Sequence, residues 1–143
     1  MSIWRSRVGT LRAMLWLALA RVAVRLVPLR ILGKTLGRSV DSSSSPRFEA
    51  MDADRANRLA ANTERASLRL PGESKCLPKA VALQWMLRRA GQPSRLVVAV
   101  HRTDRTAPHA FHAWVEQGGR MLIGRCERSE YSPVLAFDHP ARA

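Results

Sequence analysis

The chain has 143 residues, 46% of them hydrophobic, with 24 basic against 11 acidic side chains and a formal net charge of +13. That apolar share excludes a disordered chain and suits one domain with a real core. Two cysteines without CxxC spacing argue against a zinc site or a disulfide framework, so neither metal nor cofactor is expected, and reduced thiols in the cytoplasm are the default.

The charge is unevenly spread. The first 38 residues carry eight basic side chains and no acid, and the remaining sixteen basic groups share their length with all eleven acids. An anionic partner for the N-terminal segment follows: an acidic protein face, a membrane surface or nucleic acid. No aromatic residues alternate with basic ones along the strand-like runs, so nucleic acid is the least expected of the three. A basic nucleic-acid-binding module would lose affinity steeply with salt and be indifferent to its cysteines.

Residues 8–36 read as one or two amphipathic helices. Leu11, Met14, Leu15, Ala18, Leu19, Val22 and Leu26 recur at helical spacing among arginines, Pro28 divides the segment, and Gly33 and Gly37 end it. A basic start, an apolar run and Ala18-Leu-Ala20 also resemble a signal peptide, but the hydrophobic pattern continues beyond Arg21. The expectation is that this stripe packs on the domain's own core with the arginines solvated; the alternative is a helix that docks a partner or lies on a membrane surface. Asp41-Ser-Ser-Ser-Ser-Pro46 reads as a linker. The organisation expected is a helical segment over 1–38, a linker over 39–48 and the main domain over 49–143.

Within the main domain, 49–68 reads as a helix and Pro71-Gly72 as a turn. Ser74 is an N-cap candidate for a helix from Cys76 to about Ala90, closed by Gly91. The period then changes. Residues 95–101, 110–116 and 120–123 read as strands, the last two joined by Gly118-Gly119 as a hairpin, and 131–137 as a last strand or short helix. Helices followed by short antiparallel strands give an α+β fold.

Cys76 at a helix start faces the positive end of the helix dipole, which favours thiolate, and Lys75 and Lys79 add positive charge. A histidine would then serve as acid and base. His101 and His109 compete with His112 for that role. In one strand His109 and His112 face opposite sides; His112 shares its face with Trp114 and Glu116, whereas Phe111, Ala113 and Val115 form the other, assigned to the core. Glu127 is the first choice for a third residue that orients the imidazole, since no aspartate follows before Asp138. Glu116 is assigned to a surface or substrate contact, Gln84 lies too far along its helix for an oxyanion role, and Cys126 is incidental. On spacing alone, a buried structural cysteine and a satisfied strand histidine are the commoner reading.

Four runs carry a resemblance: Cys76-Leu-Pro-Lys-Ala80, Leu87-Arg-Arg-Ala-Gly91, Leu96-Val-Val-Ala-Val100 and His112-Ala-Trp-Val-Glu116. In that order, over roughly Leu59 to Phe137, they resemble the transglutaminase-like leader peptidases of lasso-peptide biosynthesis in their standalone form. The resemblance implies a papain-like, transglutaminase-type α+β fold. It implies a cysteine endopeptidase with Cys76 as nucleophile and His112 as acid and base, cutting the leader from a ribosomally made precursor. The partners implied are the precursor's leader region, a separate leader-recognition protein and a macrocyclase resembling asparagine synthetase. The family's usual third residue is an Asp on or after the strand that follows the histidine. Here Gly124-Arg-Cys-Glu127 stands instead, so either Glu127 substitutes or a carbonyl orients the ring. Acyl transfer to an amine, as in a transglutaminase or amidase, remains the alternative chemistry, and a non-catalytic precursor carrier the alternative role.

Overall fold

The computed structural model describes residues 3–42, 52–72, 75–104, 106 and 110–139. Helix α1 (Ile3–Leu26) and helix α2 (Leu29–Leu36) are separated at Pro28, whose extended backbone (φ −57°, ψ 143°) breaks the helical path. Strand β1 (Arg38–Val40) follows, so the expected linker begins with two strand residues; its serine run from Ser43 lies outside the described residues. Helix α3 (Ala53–Arg69) is capped by Asp52, whose Oδ1 accepts from the Arg55 N–H at 3.0 Å.

Helix α4 (Cys76–Arg89) starts after an extended Lys75 and has Pro78 in its first turn, where a missing N–H costs nothing. The Ser74 cap candidate lies outside the described residues. At the other end the Gly91 N–H donates to Arg88 O and the Gln92 N–H to Leu87 O, the paired bonds of a Schellman stop. Strands β2 (Ser94–His101), β3 (Phe111–Gln117), β4 (Arg120–Ile123) and β5 (Tyr131–His139) complete the chain, with a short 3₁₀ turn at Arg128–Glu130 before β5. The last segment is thus a strand, and it is the longest.

All neighbours in the sheet are antiparallel, in the order β1-β5-β2-β3-β4. The helices pack on one face. Leu17 of α1, Leu36 of α2, Ala60 of α3 and Leu83 and Leu87 of α4 join Leu96, Val98, Ala113, Val115 and Phe137 of the sheet in one buried cluster. The opposite face carries a smaller cluster, Val97, Ala99 and Trp114, bordered by Met121, Cys126 and Tyr131. On that side a buried Arg95–Asp138 pair joins β2 to β5 through two hydrogen bonds of 2.5 and 2.8 Å. The chain is an α+β protein.

Two sequence expectations change here. The segment 1–38 does pack on the core, but not through the stripe its periodicity indicated. Ala13, Leu17 and Ala20 are fully buried, whereas Leu11, Leu15, Leu19, Val22 and Leu26 are exposed, Leu15 by 74% and Leu26 by 76%. Helix α1 is apolar on two sides, and periodicity cannot say which of two apolar faces turns inward; its small residues allow the closer helix approach. Glu116 is the second change. It is buried, accepts from Trp114 Nε1 at 3.0 Å and pairs with Arg128 at 3.0 Å, which makes it a tie between β3 and the 3₁₀ turn rather than a surface contact.

Candidate active site

Cys76 is the first residue of α4, so its N–H and that of Leu77 have no acceptor within the helix; the first turn closes only from the Lys79 N–H to Lys75 O. The helix brings this end to the margin of the sheet. His112 is the second residue of β3, opposite Ala99 of β2. The two side chains are hydrogen-bonded.

The contact forms at an edge. Strand β4 pairs with β3 only from Val115↔Ile123 to Gln117↔Arg120, so the β4 side of His112 and Ala113 has no strand partner. In an antiparallel strand a residue's N–H and C=O point to the same side. The Ala113 N–H donates to the Cys76 sulfur, and the Ala113 carbonyl lies against Gly124, the residue that follows β4. The thiol therefore occupies a place on the β3 edge that a longer β4 would have filled. His112 itself belongs to the Trp114 and Tyr131 side of the sheet and reaches the helix-side cysteine around that edge.

The imidazole is fixed on its other nitrogen. His112 Nε2–H donates to the Gly124 carbonyl at 2.6 Å, which leaves Nδ1 for the thiol. A side chain at Gly124 would place its Cβ 2.3 Å from Ala113 O and 3.1 Å from Trp114 Cα, and φ is +75°. Only glycine lets the chain pass this close to the strand and turn its carbonyl to the ring. Tyr131 lies 5.2 Å from the imidazole at 33°, and Trp114 lies 6.2 Å away at 39°.

These contacts polarise the pair. Burial pushes the Cys76 thiol up, but it is outweighed by the hydrogen bond from His112, the Ala113 N–H, the His112 charge and the Leu77 N–H, so the thiol sits below its ordinary value. His112 is held above its ordinary value, first by its bond to Cys76 and against burial, then by Gly124 O and the thiolate charge; nearby Lys79 acts the other way. The arrangement favours a thiolate beside an imidazolium, a nucleophile and a proton donor held together.

The remaining predicted residues fall elsewhere. Glu127 is exposed, and its carboxylate accepts from Ser129 Oγ at 3.4 Å; the partner on His112 Nε2 is a backbone carbonyl in its stead. His101 faces Glu130 at 3.7 Å and Tyr131 at 5.0 Å, and its Nδ1 accepts from Asp104 N at 2.8 Å, so it does not compete for Cys76. His109 lies outside the described residues. Gln84 is fully buried, donating to Leu36 O and Phe137 O and accepting from Ser94 Oγ. Burial pushes the Cys126 thiol up, the opposite of Cys76. Lys79 is paired with Glu64 at 3.2 Å.

Sequence reasoning missed Tyr131 and Ala113. Nothing in a tyrosine opening the last strand marks it as a wall of the site, and a backbone N–H has no residue signature. Gly124 left a trace: a glycine directly after a short strand, in the stretch where the resemblance puts the third residue.

No curated protein and no solved structure matches the chain. A family model described as the transglutaminase-like superfamily matches residues 14–136, which include α4 with its cysteine, the histidine strand and most of α1 and β5. On that match, and with a helix-initial cysteine bonded to a strand histidine in an α+β fold, the chain belongs to the transglutaminase-like superfamily, whose members are usually cysteine-dependent enzymes.

Proposed function

We propose that this protein is a cysteine endopeptidase that removes the leader from a ribosomally made lasso-peptide precursor before macrocyclisation. The observation that carries the reading is the Cys76–His112 hydrogen bond at the start of α4, with the Ala113 N–H on the same sulfur. The Cys-Leu-Pro and His-Ala-Trp-Val-Glu runs supply the more specific resemblance.

The Cys76 thiolate attacks the scissile carbonyl at the leader–core junction. Charge develops on that oxygen beside the Cys76 backbone N–H, which has no helical acceptor and points from the positive end of the dipole. Collapse expels the core peptide's amine, which takes its proton from His112, and leaves a thioester on the leader's last residue. His112 then accepts a proton from water, and hydroxide addition to the thioester releases the leader and restores the thiolate. A separate recognition protein presents the leader, and a macrocyclase resembling asparagine synthetase consumes the freed amine.

The test is incubation of the chain with its precursor and recognition protein, beside Cys76→Ala and His112→Ala, with products read by mass. Hydrolysis adds one water across the cut bond, whereas transfer to an amine would lose ammonia or join two peptides. Leader release by Cys76→Ala at the rate of the unaltered protein would sink the mechanism.

A further inference from the structure

The outer face of α1 is unaccounted for by the catalytic reading. Val8, Leu11, Leu15, Leu19, Val22 and Leu26 are all exposed, from 37% to 76%. At about 100° per residue they fall in a sector roughly 80° wide, and the described side chains of that sector include no polar group. Arg12 borders it on one side, and Arg7 and Arg25 on the other, all three exposed. No acid occurs anywhere in α1 or α2. Beside the Arg12 border lies a cavity of about 320 Å³ between α1, α3 and the end of α4, lined by Arg12, Trp16, Arg55 and Arg89 among others. Among the described residues none of these arginines has a carboxylate partner.

We propose that this face of α1 lies in the plane of an anionic lipid surface, with the aliphatic stripe among the acyl chains, and that the arginine-lined cavity takes a lipid phosphate. A protein interface interleaves hydrogen-bonding groups with its apolar contacts and favours aromatic anchors in shaped pockets. This stripe is convex, wholly aliphatic in its described side chains and bordered by arginines on both sides, which is the pattern of an interfacial helix with snorkelling cations. No helix among the described residues is long and apolar enough to cross a membrane, so the proposed contact is in-plane rather than spanning. The packed inner face, Ala13, Leu17 and Ala20, stays on the core, so docking requires no unfolding.

The test is flotation of the full chain with vesicles of phosphatidylcholine alone or mixed with phosphatidylglycerol, at low and high salt. Binding is expected to the mixed vesicles only and to weaken with salt. Leu15→Asp with Leu19→Asp, both at exposed positions, abolishes it. Arg12→Gln, Arg55→Gln and Arg89→Gln each weaken it about fivefold, the equivalent of about 1 kcal/mol per basic group at a charged surface. Absence of binding to mixed vesicles, or binding unchanged by the leucine substitutions, overturns the proposal. So does a dimer by sedimentation that the leucine substitutions split in the absence of vesicle binding, since the stripe would then cover a second copy. The same measurements on Cys76→Ala separate this outcome from the fate of the peptidase reading.

Discussion

His112 Nε2 donates to the carbonyl of Gly124 at 2.6 Å, in the position where a triad would hold a carboxylate. A carbonyl selects the tautomer and holds the ring, as an aspartate does, but brings only a partial negative charge to the imidazolium. The site is therefore a dyad of side chains completed by the main chain. Glu127→Gln should leave the cleavage rate and its pH profile within about twofold, because its carboxylate is spent on Ser129. Gly124→Ala should lower the rate by about 10–100-fold, since its Cβ meets Ala113 O and the carbonyl must move from the ring. Steady-state rates for both variants, with circular dichroism to confirm folding, check the contrast.

The polarised pair sets the pH response. Cys76 lies below its ordinary 9.0 and His112 above its ordinary 6.5, so both shifts move the pair toward the thiolate–imidazolium form. As pH falls, the thiolate is protonated and activity is lost on the acid limb. As pH rises, the imidazolium loses its proton and the leaving amine loses its acid. A bell-shaped kcat/KM is expected, with its alkaline limb above 6.5.

Alkylation by iodoacetamide reads the same pair without substrate. Cys76 should react faster than Cys126 at neutral pH, because the first thiol is held down and the second pushed up by burial. His112→Ala should slow alkylation of Cys76 and leave that of Cys126 unchanged. Peptide mapping against time distinguishes the two cysteines.

The Tyr131 ring lies tilted against the imidazole, with centroids 5.2 Å apart. Tyr131→Phe should keep the rate within about twofold, and Tyr131→Ala should lower it about tenfold by freeing the ring to rotate from its near-attack geometry. A loss confined to kcat, with KM held, marks positioning as the cause.

Gln84 carries stability rather than chemistry. Its amide joins α4 to α2, β5 and β2 through Leu36 O, Phe137 O and Ser94 Oγ. Gln84→Ala leaves buried partners unsatisfied and a cavity, at a cost of about 2–4 kcal/mol. Urea denaturation should show the midpoint fall, while the rate of the folded fraction is kept.

The reading of sequence succeeded where one side chain announces a local rule. The end of α4 followed from Gly91, and the β3–β4 hairpin from Gly118-Gly119. The change from helical period to a β-branched run located β2. Strand alternation correctly put Ala113 and Val115 in the core, but Phe111, assigned with them, lies at the start of the strand and is 65% exposed; His112 was set on the face meant to meet Cys76, and the sheet brings the two together around an edge. That edge exists because β4 stops at Ile123, a property of pairing that no single residue encodes. The α1 stripe misled for a different reason: two apolar faces compete, and packing on α3 and α4 took the one with alanines. Gly124 stayed hidden in its role because it acts through an oxygen that every residue has.

The two-residue turn at Gly118 and Gly119, with φ of +59° and +80°, ties Gln117 to Arg120 and so fixes how β4 lies along β3. From there the count of residues to Gly124 decides which carbonyl arrives at His112. A slip of one step in that ladder would deliver a neighbouring residue and aim its oxygen away. Turnover is thus a gauge of strand alignment, and a misaligned hairpin would be a folded but silent molecule. Damage to the turn should be felt at the thiol although neither glycine touches it.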